Sequence, residues 1–394
     1  MRNARQNLFL SIVPLLILFA FRQVASQERT ELEEKLAQDI LDYRLDDFSH
    51  IEAAFILSGA NQPESLQVYL DWYNELLTTI REYHFDTFDR VNSAAKVFSY
   101  LHSSWLITYK EKATTLIDVV RQKRYNCVAG TILFNLVCED LGWSTEAFET
   151  PTHTYTIFTN FDERVMVENT TPMGFNIMKN LQEYSRYLLK FYPRKQALQI
   201  GLDKIYAYEN SKGRRIDNTE LLGLLAYNRA YFAMKDKDYQ RAYDFVLLAQ
   251  SFNKDSRSNV NFEIDIYYRW GKKLFSEGRY HDAFEVYADA YYRYWDNKDF
   301  EHNCKAAFFN AIRKSWQNKD WQTSEQLTAE ILELQILQQR DLDRLQKILR
   351  NWANYFYQIK KKKESEQVIA YLDQIDPNDP KLKAFKHAVK MLKD

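Results

Sequence analysis

The chain of 394 residues carries 53 Lys and Arg against 54 Asp and Glu, with both signs mixed throughout, which excludes nucleic acid or an anionic membrane as the main partner. Three cysteines, Cys127, Cys138 and Cys304, exclude a disulfide framework, and in an oxidising compartment at least one thiol stays unpaired. The length suits two or three domains, and 15% aromatic residues beside nine Gly and seven Pro point to long helices packed through large side chains.

The first expected element is a leader. Leu8 to Phe21 is an apolar run of about fourteen residues behind Arg2 and Arg5, with Val24 and Ser26 where a signal peptidase reads small side chains. Residues 1–26 therefore read as a secretory signal, and the mature chain would begin at Gln27, in a periplasm or outside the cell. The run is short for a membrane span and contains Pro14. Retention as an N-terminal membrane anchor is the alternative. Residues 27–45 follow as a helix with Leu32, Leu36, Ile40 and Leu41 on one stripe. A domain over 46–209 then opens with three helical runs, Ile51 to Leu57, Leu66 to Ile80 and Val91 to Leu106. His84 and His102 within it have no metal-ligand spacing to other His or Cys and read as structural.

The most informative stretch runs from Tyr125 to Pro172. Val128, Ile132, Leu133, Leu136 and Val137 recur at helical spacing and Gly142 follows Leu141 as a stop, so Cys127 falls at or just before a first helical turn. The unpaired N–H groups and positive dipole end at that place favour a thiolate, which makes Cys127 a better nucleophile than Cys138. The two are eleven residues apart, too far along one helix to bridge. Thr154 to Phe158 and Val165 to Glu168 alternate as two strands of a hairpin with its turn near Asp162 and Glu163. That pairing brings His153 and Glu168 side by side, as a base and the carboxylate that orients it. Asn169-Thr170-Thr171 is also a formal glycosylation sequon.

On Cys127, on Leu141-Gly142, on His153 followed by Tyr155, and on Glu168, the chain resembles the transglutaminase-like branch of the papain-type fold. It carries Glu where that family more often has Asp, only 26 residues between Cys and His, and Asn126 where the family has a glycine. The resemblance implies an α+β domain with Cys127 as nucleophile, His153 as base and then acid, and Glu168 as orienter. Oxyanion donors would be the Cys127 N–H and, by position, Gln122, Asn126 or Trp105.

After an aromatic helical stretch from Leu181 to Gly201, the polar run from Asn210 to Asn218 marks a domain boundary. Residues 219–394 then repeat. Ala230, Tyr239, Ala242 and Ala249 recur 41 residues on as Gly271, Tyr280, Ala283 and Ala290, with weaker copies at Trp321 and Ser324 and at Ala353 and Ser365. The spacing within each unit resembles tetratricopeptide repeats, which implies an all-α solenoid with a concave surface for a protein or peptide partner. Tyr227, Tyr231, Tyr267 and Tyr268 are the candidate binding aromatics. Lys360 to Lys363 reads as a solvated corner. Neither a phosphate-cradling loop, zinc spacing nor a serine elbow occurs, so neither cofactor nor metal is expected. The combined expectation is an exported cysteine peptidase, amidase or acyl transferase with a repeat domain. The competing one is an inactive scaffold whose solenoid carries the function.

Overall fold

A computed structural model of the protein describes residues 29–83, 89–179 and 213–392, together with 85 and 189. The expected signal, His84 and nearly all of the stretch from Leu181 to Gly201 lie outside the described residues. The described residues are mostly helical, with two small sheets among them. No helix among the described residues is long and apolar enough to cross a membrane. Two compact units divide between Glu263 and Ile264.

The first unit opens with α1 (Glu31–Asp39), started by a reciprocal cap between Thr30 and Glu33. Leu32, Leu36 and Ile40 turn inward, but Leu41 is exposed, because the helix tightens into a 3₁₀ turn at Ile40–Asp42. α2 (His50–Ser58) is capped by Ser49 and stopped by Gly59 at φ +108°, a conformation that favours glycine. α3 (Pro63–Arg81) starts with proline at its first position, and α4 (Arg90–Ser104) on an Asp89 cap. These three helices match the three expected runs. His102 on α4 is buried between the rings of Phe98 and Tyr125, and burial lowers its pKa to about 4, as suits a neutral structural histidine.

A short α5 (Leu116–Gln122) separates β1 (Thr108–Tyr109) from β2 (Arg124–Tyr125), which pair in parallel. α6 (Cys127–Asp140) follows, and every residue from Val128 to Cys138 is buried. A helix apolar on all sides has to lie in the middle of its unit, and α6 does so, packed on β3 (Ser144–Glu149) and β4 (Thr154–Asn160). β5 (Glu163–Val167) and β6 (Arg214–Ile216) complete an antiparallel sheet ordered β5-β4-β3-β6. The β4–β5 hairpin is the expected one, one residue displaced: Asn160 pairs with Glu163 around Phe161 and Asp162, and Phe161 sits at φ +51°.

The repeat has a regular helical counterpart. α8 (Tyr239–Phe252), α10 (Tyr280–Arg293), α12 (Trp321–Leu334) and α14 (Lys362–Ile375) are each 14 residues long and start 41 residues apart. The helices before them, α7 (Asn218–Lys235), α9 (Arg257–Ser276), α11 (Lys298–Asn318) and α13 (Gln339–Gln358), alternate with these, and α15 (Pro380–Lys390) closes the series. The small residues at the matched position of the second helices, Ala242, Ala283, Ser324 and Ser365, are all fully buried. Gly271 has the reason the repeat implied: a Cβ there would meet the Tyr287 ring at 2.4 Å. The contact division falls one helix pair later than the polar boundary. α7 packs on α2, α6 and β3 within the first unit.

Candidate active site

Asn126 caps α6 by accepting the Ala129 N–H at 3.0 Å, which makes Cys127 the first helical residue. The N–H groups of Cys127 and Val128 belong to the first turn, at the positive end of the helix. His153 ends the tight connection from β3, where its carbonyl accepts from the Thr150 N–H at 2.8 Å and hydroxyl at 3.0 Å. Glu168 directly follows β5. The antiparallel register therefore carries both to one end of the sheet, as the hairpin implied.

His153 Nε2 lies 2.9 Å from Glu168 Oε2. The Glu168 side chain is 0% exposed and that of His153 7%. The second carboxylate oxygen accepts from the Thr170 N–H at 2.9 Å and the Thr170 hydroxyl at 2.6 Å, so both oxygens are fixed. Burial disfavours the charged form of His153, but the Glu168 carboxylate and a side-chain hydrogen bond with Cys127 outweigh it and raise the pKa to about 10. Burial likewise opposes ionisation of Glu168, and His153 with Thr170 turns the net shift downward. Cys127, His153 and Glu168 thus come together. Cys138 and Cys304 are fully buried, and burial pushes both thiols up.

The raised histidine has a consequence for stability. A ring favoured as a cation in the folded state contributes stability that is fully present below its unfolded value of 6.5 and lost as pH rises through about 10. The difference in unfolding free energy between the wild type and His153→Ala is therefore expected to shrink across that window in denaturant titrations. A difference independent of pH there would contradict the charged pair.

A cleft of about 190 Å³ opens beside the thiol. Cys127, His153 and Tyr109 line it, and Tyr227 and Tyr231 of α7 form part of its wall. The two expected partner-binding tyrosines of the first repeat therefore border the candidate site itself. Tyr267 and Tyr268 fall in the second unit. Tyr267 is 1% exposed with its hydroxyl on Asp289, so it is a core residue and offers no binding surface. Tyr268 stacks on Phe300 at 4.5 Å and donates to Asn297 at 3.0 Å.

The oxyanion candidates fare differently. Asn126 lines the cleft, but its oxygen serves the cap and its amide donates to the Glu111 carbonyl at 3.1 Å. Gln122 is exposed and bound to Asp118 and Arg124, while Trp105 packs edge-on against Trp72 at 4.8 Å; neither lines the cleft. The residue missed is Tyr109. Burial, then the charges of Cys127 and Glu168, push its phenol up, so it stays a donor. Its only sequence signal was a tyrosine in a short TY strand. The sequon at Asn169 is closed in the folded protein, since Asn169 is 0% exposed and its amide is engaged.

No protein-family model matches the chain, and no curated protein does. Among solved structures, a crystal structure of menin that reveals the binding site for the Mixed Lineage Leukemia (MLL) protein aligns over 93% of this chain and 94% of that chain, at 10% identity and a TM-score of 0.29. Agreement at that level assigns neither fold nor function.

Proposed function

We propose that the protein is an exported cysteine hydrolase or acyl transferase that cleaves amide bonds, built on a transglutaminase-like domain and followed by tetratricopeptide-like repeats that engage a protein or peptide partner. The observation that supports it most is the meeting of Cys127, His153 and Glu168 beside a cleft, with the carboxylate wholly buried and held at both oxygens. The regular 41-residue helix pairs support the second part.

In this reading the thiol proton already rests on His153 Nδ1, the nitrogen that Glu168 does not hold, and the Cys127 thiolate attacks the amide carbon. The carbonyl oxygen gathers negative charge facing the Cys127 N–H and the Tyr109 hydroxyl. Collapse breaks the C–N bond, and Nδ1 returns the proton to the departing amine, which leaves a thioester on Cys127. Water or a second amine then attacks the thioester and gives its proton to the ring, and sulfur leaves as the thiolate, which restores the starting pair. Glu168 keeps Nε2–H in place and stabilises the imidazolium throughout.

Alkylation by iodoacetamide, followed by intact mass, tests the nucleophile. Cys138 and Cys304 are buried, so native labelling reports on Cys127. Wild-type protein is expected to label rapidly below neutral pH, with His153→Ala slower by about 10² or more, the range for a positioned base. Equal rates in the two proteins would sink the catalytic reading and leave the repeat array as the functional element.

A further inference from the structure

The geometry points to Asn169 as the residue that positions all three members of the proposed triad, a role that rests on the catalytic reading above. Its side-chain nitrogen lies 2.9 Å from the Thr156 hydroxyl of β4, 3.2 Å from the Thr131 hydroxyl of α6 and 3.3 Å from the Val167 carbonyl of β5, three acceptors that share its two hydrogens. Those are the three elements that start at Cys127, start just after His153 and end just before Glu168. One NH₂ group therefore ties the helix of the nucleophile to the strand of the base and the strand of the orienter. Asn169 is fully buried, and its amide oxygen has no hydrogen-bond partner among the described residues. Its polar contacts thus all run through the donor side, the side that faces the three elements.

Two further observations make this a fixed seat. The backbone approach is close: a Cβ on Gly130 of α6 would stand 3.2 Å from the Asn169 carbonyl oxygen and 3.4 Å from its Cβ. The helix can meet the end of β5 there because residue 130 has no side chain. Thr156 is itself anchored, since its hydroxyl donates to Asn135 Oδ1 at 2.5 Å, and Asn135 Nδ2 donates to Asn218 Oδ1 at 3.0 Å. A buried chain of donors pointing one way strengthens each member, so the acceptor that Asn169 meets on β4 has little freedom. Asn169 touches no substrate position in this scheme. It acts by keeping the thiol, the ring and the carboxylate at the separations where proton transfer works.

A mutant cycle on iodoacetamide labelling of Cys127 separates this from a general structural effect. Asn169→Ala is compared with Thr131→Val, which removes one acceptor and keeps its shape, each in the wild-type and His153→Ala backgrounds, with circular dichroism confirming the fold. In the wild-type background each is expected to slow labelling by about tenfold, a fraction of the ~10²-fold that a 1 Å misplacement can cost. In the His153→Ala background each is expected to change the rate less than twofold, because the geometry they maintain has no base left to serve. Equal slowing in both backgrounds, or no slowing in either, overturns the positioning role while His153 dependence of the wild type still upholds the catalytic reading. A wild type insensitive to His153→Ala overturns both. Should Asn169→Ala fail to fold, Thr131→Val alone decides by the same comparison.

Discussion

Replacing Glu33 by alanine is expected to destabilise the first unit by about 3–5 kcal/mol, the cost of breaking a buried ion pair from one side. Glu33 on α1 has a side chain only 2% exposed, and it accepts from Arg241 Nη2 at 2.7 Å and Nη1 at 3.4 Å, with Arg229 Nη1 at 3.9 Å. Both guanidinium groups lie over the Phe245 ring, at 4.0 and 4.5 Å, and Arg229 also donates to the Leu57 carbonyl at 2.5 Å. Burial, ahead of the neighbouring charges, lowers the Arg229 pKa to about 10, and there Glu33 favours the cation while Arg241 disfavours it. Without the carboxylate, two cations face each other in a desolvated place, and α1 loses the half of its cap in which the Thr30 N–H donates to Glu33. Urea titration followed by tryptophan fluorescence measures the loss. Glu33→Gln, which retains hydrogen-bonding capacity without charge, should fall between the two. A loss below 1 kcal/mol in Glu33→Ala would mean that water reaches the arginines.

Gly174→Ala should cost the proposed site most of its reactivity without touching any reacting atom. A Cβ at residue 174 would stand 1.8 Å from the Glu168 carbonyl oxygen, so the backbone has to separate. It cannot separate locally, because the Glu168 N–H donates to the Gly174 carbonyl at 2.9 Å and Val167 is bridged to Phe175 on the next residue pair. Displacement therefore passes to the Glu168 carboxylate, the group that fixes Nε2. With shifts near 1 Å worth about 10²-fold, labelling of Cys127 should fall to within a few-fold of the His153→Ala rate. Wild-type labelling in Gly174→Ala would show that the segment yields elsewhere. Thermal unfolding run beside it separates loss of reactivity from loss of fold.

The parts of this architecture legible in the sequence are those with strong periodicity or strict order. The apolar run after Cys127, the alternating pair around Asp162 and the 41-residue recurrence each reflect one simple geometric constraint, and each has its element. Two strands of the four-stranded sheet were not legible. β3 carries Ser144, Thr145, Glu146 and Glu149 around a single fully buried residue, Ala147, which gives almost no alternation of hydrophobicity. β6 lies inside the polar run that reads as a linker, and its charges are what pair it: Arg215 lies 3.5 Å from Glu146 and Arg214 3.3 Å from Glu149, both on β3. Cross-strand ion pairs of this kind stabilise an edge strand yet look like solvent-loving loop in one dimension. The oxyanion donors were illegible for a different reason. Position along the chain places Asn126 next to Cys127, but its amide turns to the carbonyl of Glu111, fifteen residues away. Tyr227 and Tyr231 border the cleft because α7 packs on α6 and β3, a long-range fact that no local pattern carries.

The constant phase of the helix pairs bears on how such a chain changes over time. Because successive second helices begin at equivalent positions with a small buried residue three places on, a duplication or excision of one whole period by recombination would join surfaces that already fit. Length is then a trait that selection can adjust in steps, while the segment from Cys127 to Glu168, whose Asn135 is tied to Asn218 and whose Glu149 is tied to Arg214, admits no such step and changes only by single substitutions.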